Sequence, residues 1–341
     1  MSNLAAFIPS KMAPLEIRKV EKYTPGSGEI LIKNNIIAFN PVEYKMARFG
    51  VFPLEYPSIL GLSYGGIVES VGDDVTKFKI GDKVVATRNL GVPGNKYGSF
   101  QRYVVALETM VSKLPEDANV EAAANVILNL ETVVGILTHT LGLDHPNLDK
   151  PVTSKGKKLL IYGGSSSVGS LCIQYASQAG YTVISTSSPR NKSFVSTLGA
   201  TKIIDHTQDQ SSIISTLIEE GPYDFVVDTI SIPSTINITS AVLSAQGGGT
   251  LHTLIPPIGP ETIPNNVERS FKTYGLQLGP EYSEINKWFF ESYLPQGIAT
   301  GKIIPLPQDK VKGGLNGIEE ALTKMQKGVS GVKVVADPWE E

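Results

Sequence analysis

A turn rich in glycine and serine is the part of the sequence whose residue types best suit a chemical role. It consists of Gly164, Ser165, Ser166, Ser167, Val168 and Gly169. The usual dinucleotide-binding pattern is G-x-G-x-x-G, because small residues let the backbone approach a pyrophosphate and the following helix offers free N–H groups. Ser166 replaces the middle glycine, and its hydroxyl can donate to a phosphate oxygen. The turn therefore predicts a dinucleotide site, with a tight turn that binds no ligand as the alternative.

The next apolar run ends in residues that distinguish NADP from NAD. NAD enzymes place an Asp or Glu at this point to hold the ribose 2′-hydroxyl, but no acidic residue lies between positions 181 and 204. The run leads instead into Ser187, Ser188, Pro189, Arg190, Asn191 and Lys192. Hydroxyls and cations suit a 2′-phosphate, because arginine makes paired, charge-assisted hydrogen bonds to phosphate oxygens. These residues predict NADPH as the cofactor; a basic, solvated helix start is the alternative.

Strand and helix patterns alternate regularly around both segments. We predict strands at 159–162, 181–186, 202–205, 223–228 and 250–255, and helices at 168–179, 191–198, 211–219 and 233–243. Alternation at this period is typical of a doubly wound, parallel sheet. The charge-free stretches 159–189 and 229–260 are long enough to cross a bilayer. Gly, Ser, Gln and Pro interrupt them, and strands buried on both faces of a sheet also exclude charge. We therefore predict an α/β unit here.

The two ends of the chain have a different character. Strands are predicted at 29–38, 66–71 and 83–87, helices at 121–143, 283–294 and 318–326, and a closing strand at 332–336. Gly and Pro recur between the first strands, which is typical of a barrel-like, all-β unit. We predict a discontinuous barrel domain, residues 1–124 and 284–341, with the nucleotide-binding domain at 125–283 inserted into it.

Composition excludes several classes of protein. The chain has 341 residues, 41% of them apolar, and a formal net charge of −3. Such a surface offers no attractive field to nucleic acid or to an anionic membrane. The single cysteine, Cys172, cannot form an internal disulfide or a cysteine-based zinc site, and we expect it to be buried and inert. The N-terminus does not match a signal peptide. We expect a soluble, cytoplasmic monomer or homodimer without nucleic-acid or membrane partners.

Four segments together resemble the medium-chain dehydrogenase/reductase superfamily over nearly the whole chain. They are residues 61–68, 71–84 and 98–105 and the glycine- and serine-rich turn. The resemblance implies a GroES-like β-barrel catalytic domain built from both chain ends, a Rossmann domain between them, and an active site in the cleft. Within the superfamily the sequence is most similar to zinc-free quinone oxidoreductases and fungal trans-acting enoyl reductases.

The positions of the catalytic zinc ligands support this placement. Where zinc alcohol dehydrogenases carry a Cys and a His, this sequence has Asn40 and Leu62, and neither side chain replaces a thiolate or an imidazole. The resemblance therefore implies no metal. The run from Asn40 and Pro41 to Tyr44 and Lys45 is similar to the Asn-Pro-Val-Asp motif of the zinc-free reductases. By that likeness Asn40, Pro41 and Lys45 are expected to contact the cofactor.

The resemblance implies further cofactor contacts. Residues 188–191 are similar to the 2′-phosphate loop of the fungal enoyl reductases, and His206 stands where the superfamily usually has Tyr. The other implied contacts are Thr132, at the start of the long helix, with Leu254, Ile255, Ser330 and Lys333.

Without a metal, hydride transfer needs an electron-poor acceptor. Hydride added to the β-carbon of an α,β-unsaturated carbonyl gives an enolate, which hydrogen-bond donors stabilise. Lys45 is the candidate donor, and Tyr44 is a weaker one; a surface lysine and a structural tyrosine are the alternatives. The sequence thus predicts an NADPH-dependent reductase of an activated C=C bond or a quinone, and it leaves aldehydes open as further substrates. The alternative is a structural or regulatory protein that binds NADPH without turnover.

Overall fold

The computed structural model describes residues 2–276 and 283–341. The chain divides into two compact units, Met1–Leu128 with Leu278–Glu341, and Asn129–Gln277. The boundaries expected from the sequence, at 124/125 and 283/284, differ from these by a few residues.

The N-terminal part of the chain is rich in strands. Its elements are β1 (Ser2–Ile8), β2 (Glu16–Glu21), β3 (Glu29–Ala38), α1 (Pro41–Phe49), β4 (Ser58–Ile59), β5 (Ser63–Val71), β6 (Lys83–Thr87), β7 (Tyr103–Leu107), β8 (Val111–Lys113) and α2 (Val120–Val134). Helix α2 continues as a π-helical segment to Thr140, so the predicted helix 121–143 is α-helical only in its first part. Strands β3 and β6 confirm the predicted bounds.

The middle part alternates strands and helices as predicted. Its elements are β9 (Lys158–Tyr162), α3 (Ser167–Gln178), β10 (Thr182–Ser187), α4 (Lys192–Ser196), β11 (Lys202–Asp205), α5 (Gln210–Glu219), β12 (Phe225–Asp228), α6 (Pro233–Ala245), β13 (Gly249–Thr253) and β14 (Val267–Phe271). The predicted strand 250–255 ends at Thr253, so Leu254 and Ile255 follow it. The predicted helix 191–198 is the short α4, preceded by a 3₁₀ turn at Pro189–Asn191.

The C-terminal part returns to the first unit. Its elements are α7 (Ser283–Trp288), α8 (Leu294–Ala299), β15 (Gln308–Val311), α9 (Ile318–Lys327) and β16 (Lys333–Ala336). A π-helical turn, Phe289–Tyr293, separates α7 from α8 within the predicted helix 283–294. Strand β16 pairs with β3, which joins the two ends of the chain in one sheet.

The first unit contains the predicted GroES-like architecture. Its larger sheet has the strand order β15-β16-β3-β5-β6-β8, with β7 also paired to β3, and a smaller sheet has the order β2-β1-β4. Alternating apolar residues of β3, β5, β6 and β7 form one buried cluster. A second cluster joins β1, α1 and α9. Helix α1, which carries the Asn40 motif, is therefore fixed to the sheets along one side.

The second unit is a Rossmann-type sheet with the strand order β11-β10-β9-β12-β13-β14, and every pair in it is parallel. Strand order reverses between β9 and β12, and ligands of such sheets bind outside the carboxyl ends of the strands near this point. The glycine- and serine-rich turn follows β9. The fold therefore brings it to the same edge as the ends of β10, β12 and β13.

The charge-free stretches belong to this sheet, as predicted, rather than to membrane spans. One helical stretch, Val120–Thr140, is long and apolar enough by composition to cross a membrane, but 67% of its most apolar window is buried inside the protein. This is the situation of a core helix. Cys172 is fully buried on α3, and burial raises the pKa of its thiol, as expected of an inert cysteine.

Candidate functional site

The glycine- and serine-rich turn connects the end of β9 directly to the start of α3. Ser166 is the N-cap residue of α3, and its Oγ accepts a hydrogen bond from the Gly169 N–H at 2.9 Å. The first N–H groups of a helix have no intrahelical acceptor, and they lie at the positive end of its dipole. Because the cap satisfies the Gly169 N–H, the N–H groups of Ser167 and Val168, which have no acceptor within residues 2–276 and 283–341, can meet an anion.

Two glycines of this loop have no room for a side chain. Gly163 has a φ of +89°, and a Cβ built on it would lie 2.6 Å from the Ile230 side chain. A Cβ on Gly169 would lie 2.2 Å from the carbonyl oxygen of Gly163. The backbone of β9 and that of α3 therefore approach each other closely. The loop surface presents backbone and small hydroxyls, which fits a pyrophosphate.

The end of β10 presents two cations. Arg190 and Lys192 are exposed, and neither takes part in an ion pair within the described part of the chain. Ser187, at the strand end, is buried, and Ser188 is partly exposed. The predicted 2′-phosphate residues thus lie together on one turn. Their arrangement suits an anion rather than a ribose hydroxyl alone.

An acidic residue does occur on the neighbouring strand. Asp205, at the end of β11, is in register with Ser187. Its Oδ1 accepts hydrogen bonds from the N–H and the hydroxyl of Thr207, at 2.8 and 2.7 Å. His206 follows Asp205, and its N–H donates to the Ser187 carbonyl at 3.4 Å, so His206 lies beside the predicted phosphate turn.

Two other predicted contacts lie where β13 ends. The N–H of Leu254 donates to Ser231 Oγ at 2.9 Å, and the Ile255 carbonyl accepts from Arg269 Nη2 at 2.8 Å. Thr132 lies near the end of α2, not at its start as expected, because α2 begins at Val120. Its Oγ1 would lie 3.2 Å from a Cβ built on Gly275.

Two of the predicted residues of the first unit, Asn40 and Lys333, belong to a buried polar cluster. Lys333 and Asn40 are each only 2% exposed, and the Lys333 ammonium donates to Asn40 Oδ1 at 2.7 Å. The Asn40 amide nitrogen donates to the Ala38 carbonyl and to Ser63 Oγ, both at 3.1 Å. Lys333 and Asn40 therefore bond to each other in this structure, and both lie inside the fold.

Glu43 completes this cluster and was not singled out by the sequence. It is fully buried, and its two carboxylate oxygens accept from the N–H groups of Asn40 and Leu62, each at 2.7 Å. Burial raises the pKa of Glu43. The hydrogen bonds from the two backbone N–H groups and the positive charge of nearby Lys333 act in the opposite direction and lower it. Burial likewise lowers the pKa of Lys333. Glu43 thus bonds to the backbone at both positions that the resemblance matches to the metal ligands of zinc dehydrogenases.

Lys45 differs from Lys333 in having no internal partner. Its ammonium makes no hydrogen bond or ion pair within the described residues, and burial lowers its pKa. Tyr44, the neighbouring residue of α1, packs edge-on against Phe49 with ring centres 6.2 Å apart, and burial raises the pKa of its hydroxyl. A partly desolvated, unpaired lysine is able to donate a hydrogen bond to an anionic oxygen.

The remaining predicted residues have simpler positions. Pro41 is the first residue of α1, where a fixed φ and a missing N–H are tolerated. Ser330 is exposed, between α9 and β16. Among residues 2–276 and 283–341, no group of three or more His, Cys, Asp or Glu side chains has the arrangement of a metal site.

Comparisons with known proteins agree with this architecture. The family models for the alcohol dehydrogenase GroES-like domain and for zinc-binding dehydrogenases match residues 26–116 and 167–269. A trans-enoyl reductase of Aspergillus japonicus, himH, is 33% identical over 344 residues, which is 98% of this chain and 97% of that protein.

Solved structures show the same fold. A quinone oxidoreductase of Pseudomonas syringae has a TM-score of 0.75 and 22% identity, covering 98% of this chain and all of that one. A mycobacterial protein solved with NADPH has a TM-score of 0.77 and 22% identity, with the same coverage. Together with the full-length relatives, these findings establish that this chain is an oxidoreductase that belongs to the medium-chain dehydrogenase/reductase superfamily, in its zinc-free branch.

Proposed function

We propose that this protein is a zinc-independent, NADPH-dependent reductase of an activated C=C bond, with an α,β-unsaturated carbonyl compound as its substrate. The observation that carries the cofactor part of the proposal is the end of β10, where Arg190 and Lys192 make no ion pair within the described residues and the acid typical of NAD enzymes is absent. A 2′-phosphate is the group of NADPH that NADH lacks, and two free cations favour it.

The second unit would hold the cofactor. The N–H groups of Ser167 and Val168 and the positive end of the α3 dipole would bind the pyrophosphate, and Arg190 and Lys192 the 2′-phosphate. When bound, NADPH supplies a hydride. The chain's own contribution on this side is to fix and orient the cofactor through backbone groups and cations.

The first unit would stabilise the charge that develops on the substrate. Hydride addition to a β-carbon leaves negative charge on the carbonyl oxygen. The Lys45 ammonium is partly desolvated and has no partner in the described part of the chain, so it can hydrogen-bond to that oxygen and then donate a proton. Lys333 is a poorer candidate for this role because its ammonium is bonded to Asn40 inside the fold.

Zinc independence follows from the chemistry of the available donors. Asn40 uses its amide on Lys333, Ser63 and the Ala38 carbonyl, and Leu62 offers only a hydrocarbon side chain. Neither is a zinc ligand of the usual kind. An acceptor that needs no metal-stabilised alkoxide, such as an enone or enoyl group, is therefore the best substrate class. The trans-enoyl reductase name of a relative supports the same choice, and a quinone is the second candidate.

The test combines binding, metal content and turnover. Calorimetric titration should give a lower Kd for NADPH than for NADH, and elemental analysis should find no stoichiometric zinc. NADPH oxidation should then be followed with an enoyl thioester, an enone, a quinone and an aldehyde. Tighter binding of NADH would refute the cofactor assignment. NADPH binding without turnover on the whole panel would favour a structural or regulatory role instead.

A further inference from the structure

The turn after β12 contains a residue whose backbone conformation is unusual for its type. Ser231 has a φ of +58°, in the left-handed region that residues with a side chain rarely adopt. Ser231 is also fully buried. Such a conformation persists only where neighbouring groups fix it, and it often occurs at functional sites.

The carboxylate of Asp228 fixes this turn. Its Oδ1 accepts from the N–H groups of Ile230 and Ser231, at 2.9 and 2.8 Å, and Ser231 Oγ donates to the Asp228 carbonyl. Ser231 Oγ in turn accepts from the Leu254 N–H at 2.9 Å. The serine hydroxyl therefore connects the end of β12 to the first residue after β13.

An ion pair made by a residue of β14 holds Ile255, the residue after Leu254. Arg269, on β14, bonds to both oxygens of Glu261 at 2.6 Å, and the two side chains are only 7% and 6% exposed. Arg269 Nη2 also donates to the Ile255 carbonyl at 2.8 Å. The N–H of Leu254 thus bonds to the turn after β12, and the carbonyl of Ile255 bonds to β14. These two consecutive residues of the loop after β13 are held from two sides.

The same turn also touches the phosphate loop. The hydroxyl of Thr229 donates to the Tyr162 carbonyl at 2.7 Å and lies 2.9 Å from Ser166 Oγ, while the Ile230 side chain covers Gly163. The turn 228–231 therefore lies between the predicted pyrophosphate site and residues 254–255. A change confined to the Ser231 hydroxyl removes the bridge to Leu254 but leaves the Thr229 contacts intact.

We propose that Ser231 and the Arg269–Glu261 pair are positioning residues that set residues 254–255 for the nicotinamide half of the cofactor. This inference rests on the proposed function. A dinucleotide lies across the carboxyl edge of such a sheet, with its halves on either side of the point where strand order reverses. The adenosine half of NADPH, which carries the 2′-phosphate, is assigned to the end of β10. The nicotinamide half would therefore lie on the other side of β9, near the ends of β12 and β13. Recognition of the two halves then depends on separate residues.

The test uses two probes that share only the adenosine half, NADPH and 2′,5′-ADP, each titrated by calorimetry. Ser231→Ala should raise the Kd for NADPH about tenfold, as for one lost hydrogen bond that holds a binding surface. The Kd for 2′,5′-ADP should change less than about twofold. Ser231→Gly removes the same hydroxyl but relieves the left-handed backbone, so it should fold readily and show the same selective loss.

Ser177→Ala is the matched control, because Ser177 Oγ also bonds to backbone carbonyls of this unit, those of Gln174 and Leu198, but on α3. It should leave both Kd values unchanged. Equal weakening of both probes in the Ser231 variants, or no weakening in either, would overturn the positioning role alone. If the wild-type protein bound neither probe, the proposed function and this inference would both fail.

Discussion

Glu43 and Asp228 are fully buried carboxyl groups, one in each compact unit, and burial raises the pKa of both. Glu43 bonds through both oxygens to backbone N–H groups, and the buried Lys333 ammonium lies nearby. Asp228 receives two N–H groups on one oxygen, and no basic side chain bonds to it among the described residues. The buried cation of the first unit therefore lies within the same cluster as Glu43, whereas Arg269 of the second unit is paired with Glu261 and acts on Asp228 without bonding to it.

A second difference concerns where unpaired cations occur. In the second unit Arg190 and Lys192 are exposed and make no ion pair with any described residue, whereas Lys333 of the first unit is buried and bonded to Asn40. A polar group whose bonding capacity is filled inside the protein contributes mainly to stability, and one left unpaired at the surface is available to a ligand. Substituting a group that is bonded inside the protein should therefore reduce stability. Substituting an unpaired surface group should reduce the affinity for a ligand. Lys45 of the first unit belongs with the unpaired groups, because its ammonium has no partner among the described residues.

The largest effect should come from Glu43→Ala. It leaves the N–H groups of Asn40 and Leu62 without acceptors and Lys333 without a nearby carboxylate, so the free energy of unfolding should fall by about 3–5 kcal/mol. Urea denaturation measures it. Glu16→Ala is the control, because Glu16 pairs with Arg18 at the surface and should change stability by less than about 1 kcal/mol. A loss below about 1 kcal/mol for Glu43→Ala would contradict the assigned role.

The next effect is a pH dependence that separates Asp228 from His252. Burial raises the pKa of Asp228 to about 6. Between pH 3.8 and 6 the native protein holds a proton that the unfolded chain has lost, so this group makes stability fall as pH rises. This difference in pKa between the unfolded and the native protein corresponds to a change of about 3 kcal/mol at most in the free energy of unfolding. Burial, assisted by Lys272, lowers the pKa of His252 to about 4, so between pH 4 and 6.5 His252 makes stability rise with pH.

The two opposing contributions overlap between about pH 4 and 6 and partly cancel in the wild type. Asp228→Asn should therefore make stability rise more steeply with pH than in the wild type, and His252→Phe should make it rise less steeply or fall. Chemical denaturation at several pH values gives the slopes, and the difference from wild type removes the contribution of other groups. Parallel slopes in all three proteins would show that neither pKa is shifted as stated.

Lys45→Ala should separate catalysis from both stability and cofactor affinity. If the ammonium stabilises the developing enolate, kcat on an enone should fall about 10²-fold. The Tm should change little because Lys45 makes no hydrogen bond or ion pair within the described residues. NADPH affinity should change little because the residues proposed to bind its phosphates lie in the second unit. Lys19→Ala, which removes an exposed lysine of β2, is the control and should be silent. An unchanged kcat at saturating substrate would assign proton delivery to solvent.

The extent to which sequence predicts this fold depends on how local the signal is. Strands β9, β10, β12 and β13 are apolar runs separated by helical patterns, and the alternation alone predicts them. Strand β14, Val267–Phe271, escaped prediction because it is an edge strand in which only Val267 is buried, so its residues lack an apolar run. Helix α1 was missed for a related reason: its nine residues are amphipathic only over two turns and begin with the Asn40 motif.

The site is predictable where it is contiguous in sequence and not where it depends on distant pairs. The phosphate turn and residues 187–192 are each one local segment, so residue types and spacing point to them. Lys333 and Asn40 are 293 positions apart, and no local pattern connects them. The same holds for Ser231 with Leu254, 23 positions apart. The left-handed φ of Ser231 gives no sequence signal either, because glycine is the residue that usually marks such a position.

The smallest expected effect is the sharpest test of the second unit, because it should change affinity without stability. Arg190→Ala removes one unpaired cation, so the Kd for NADPH should rise about tenfold or more, as for the loss of a charge-assisted phosphate contact, while that for NADH stays constant. The Tm should not change, since Arg190 is exposed and makes no ion pair in the described part of the chain. Lys202→Ala is the control, because Lys202 begins β11 at the opposite end of the strands and pairs with Glu220. Calorimetry with both cofactors measures these effects. If the loss of positive charge alone mattered, Lys202→Ala would weaken NADPH binding as much as Arg190→Ala does, and the proposed phosphate contact of Arg190 would be refuted.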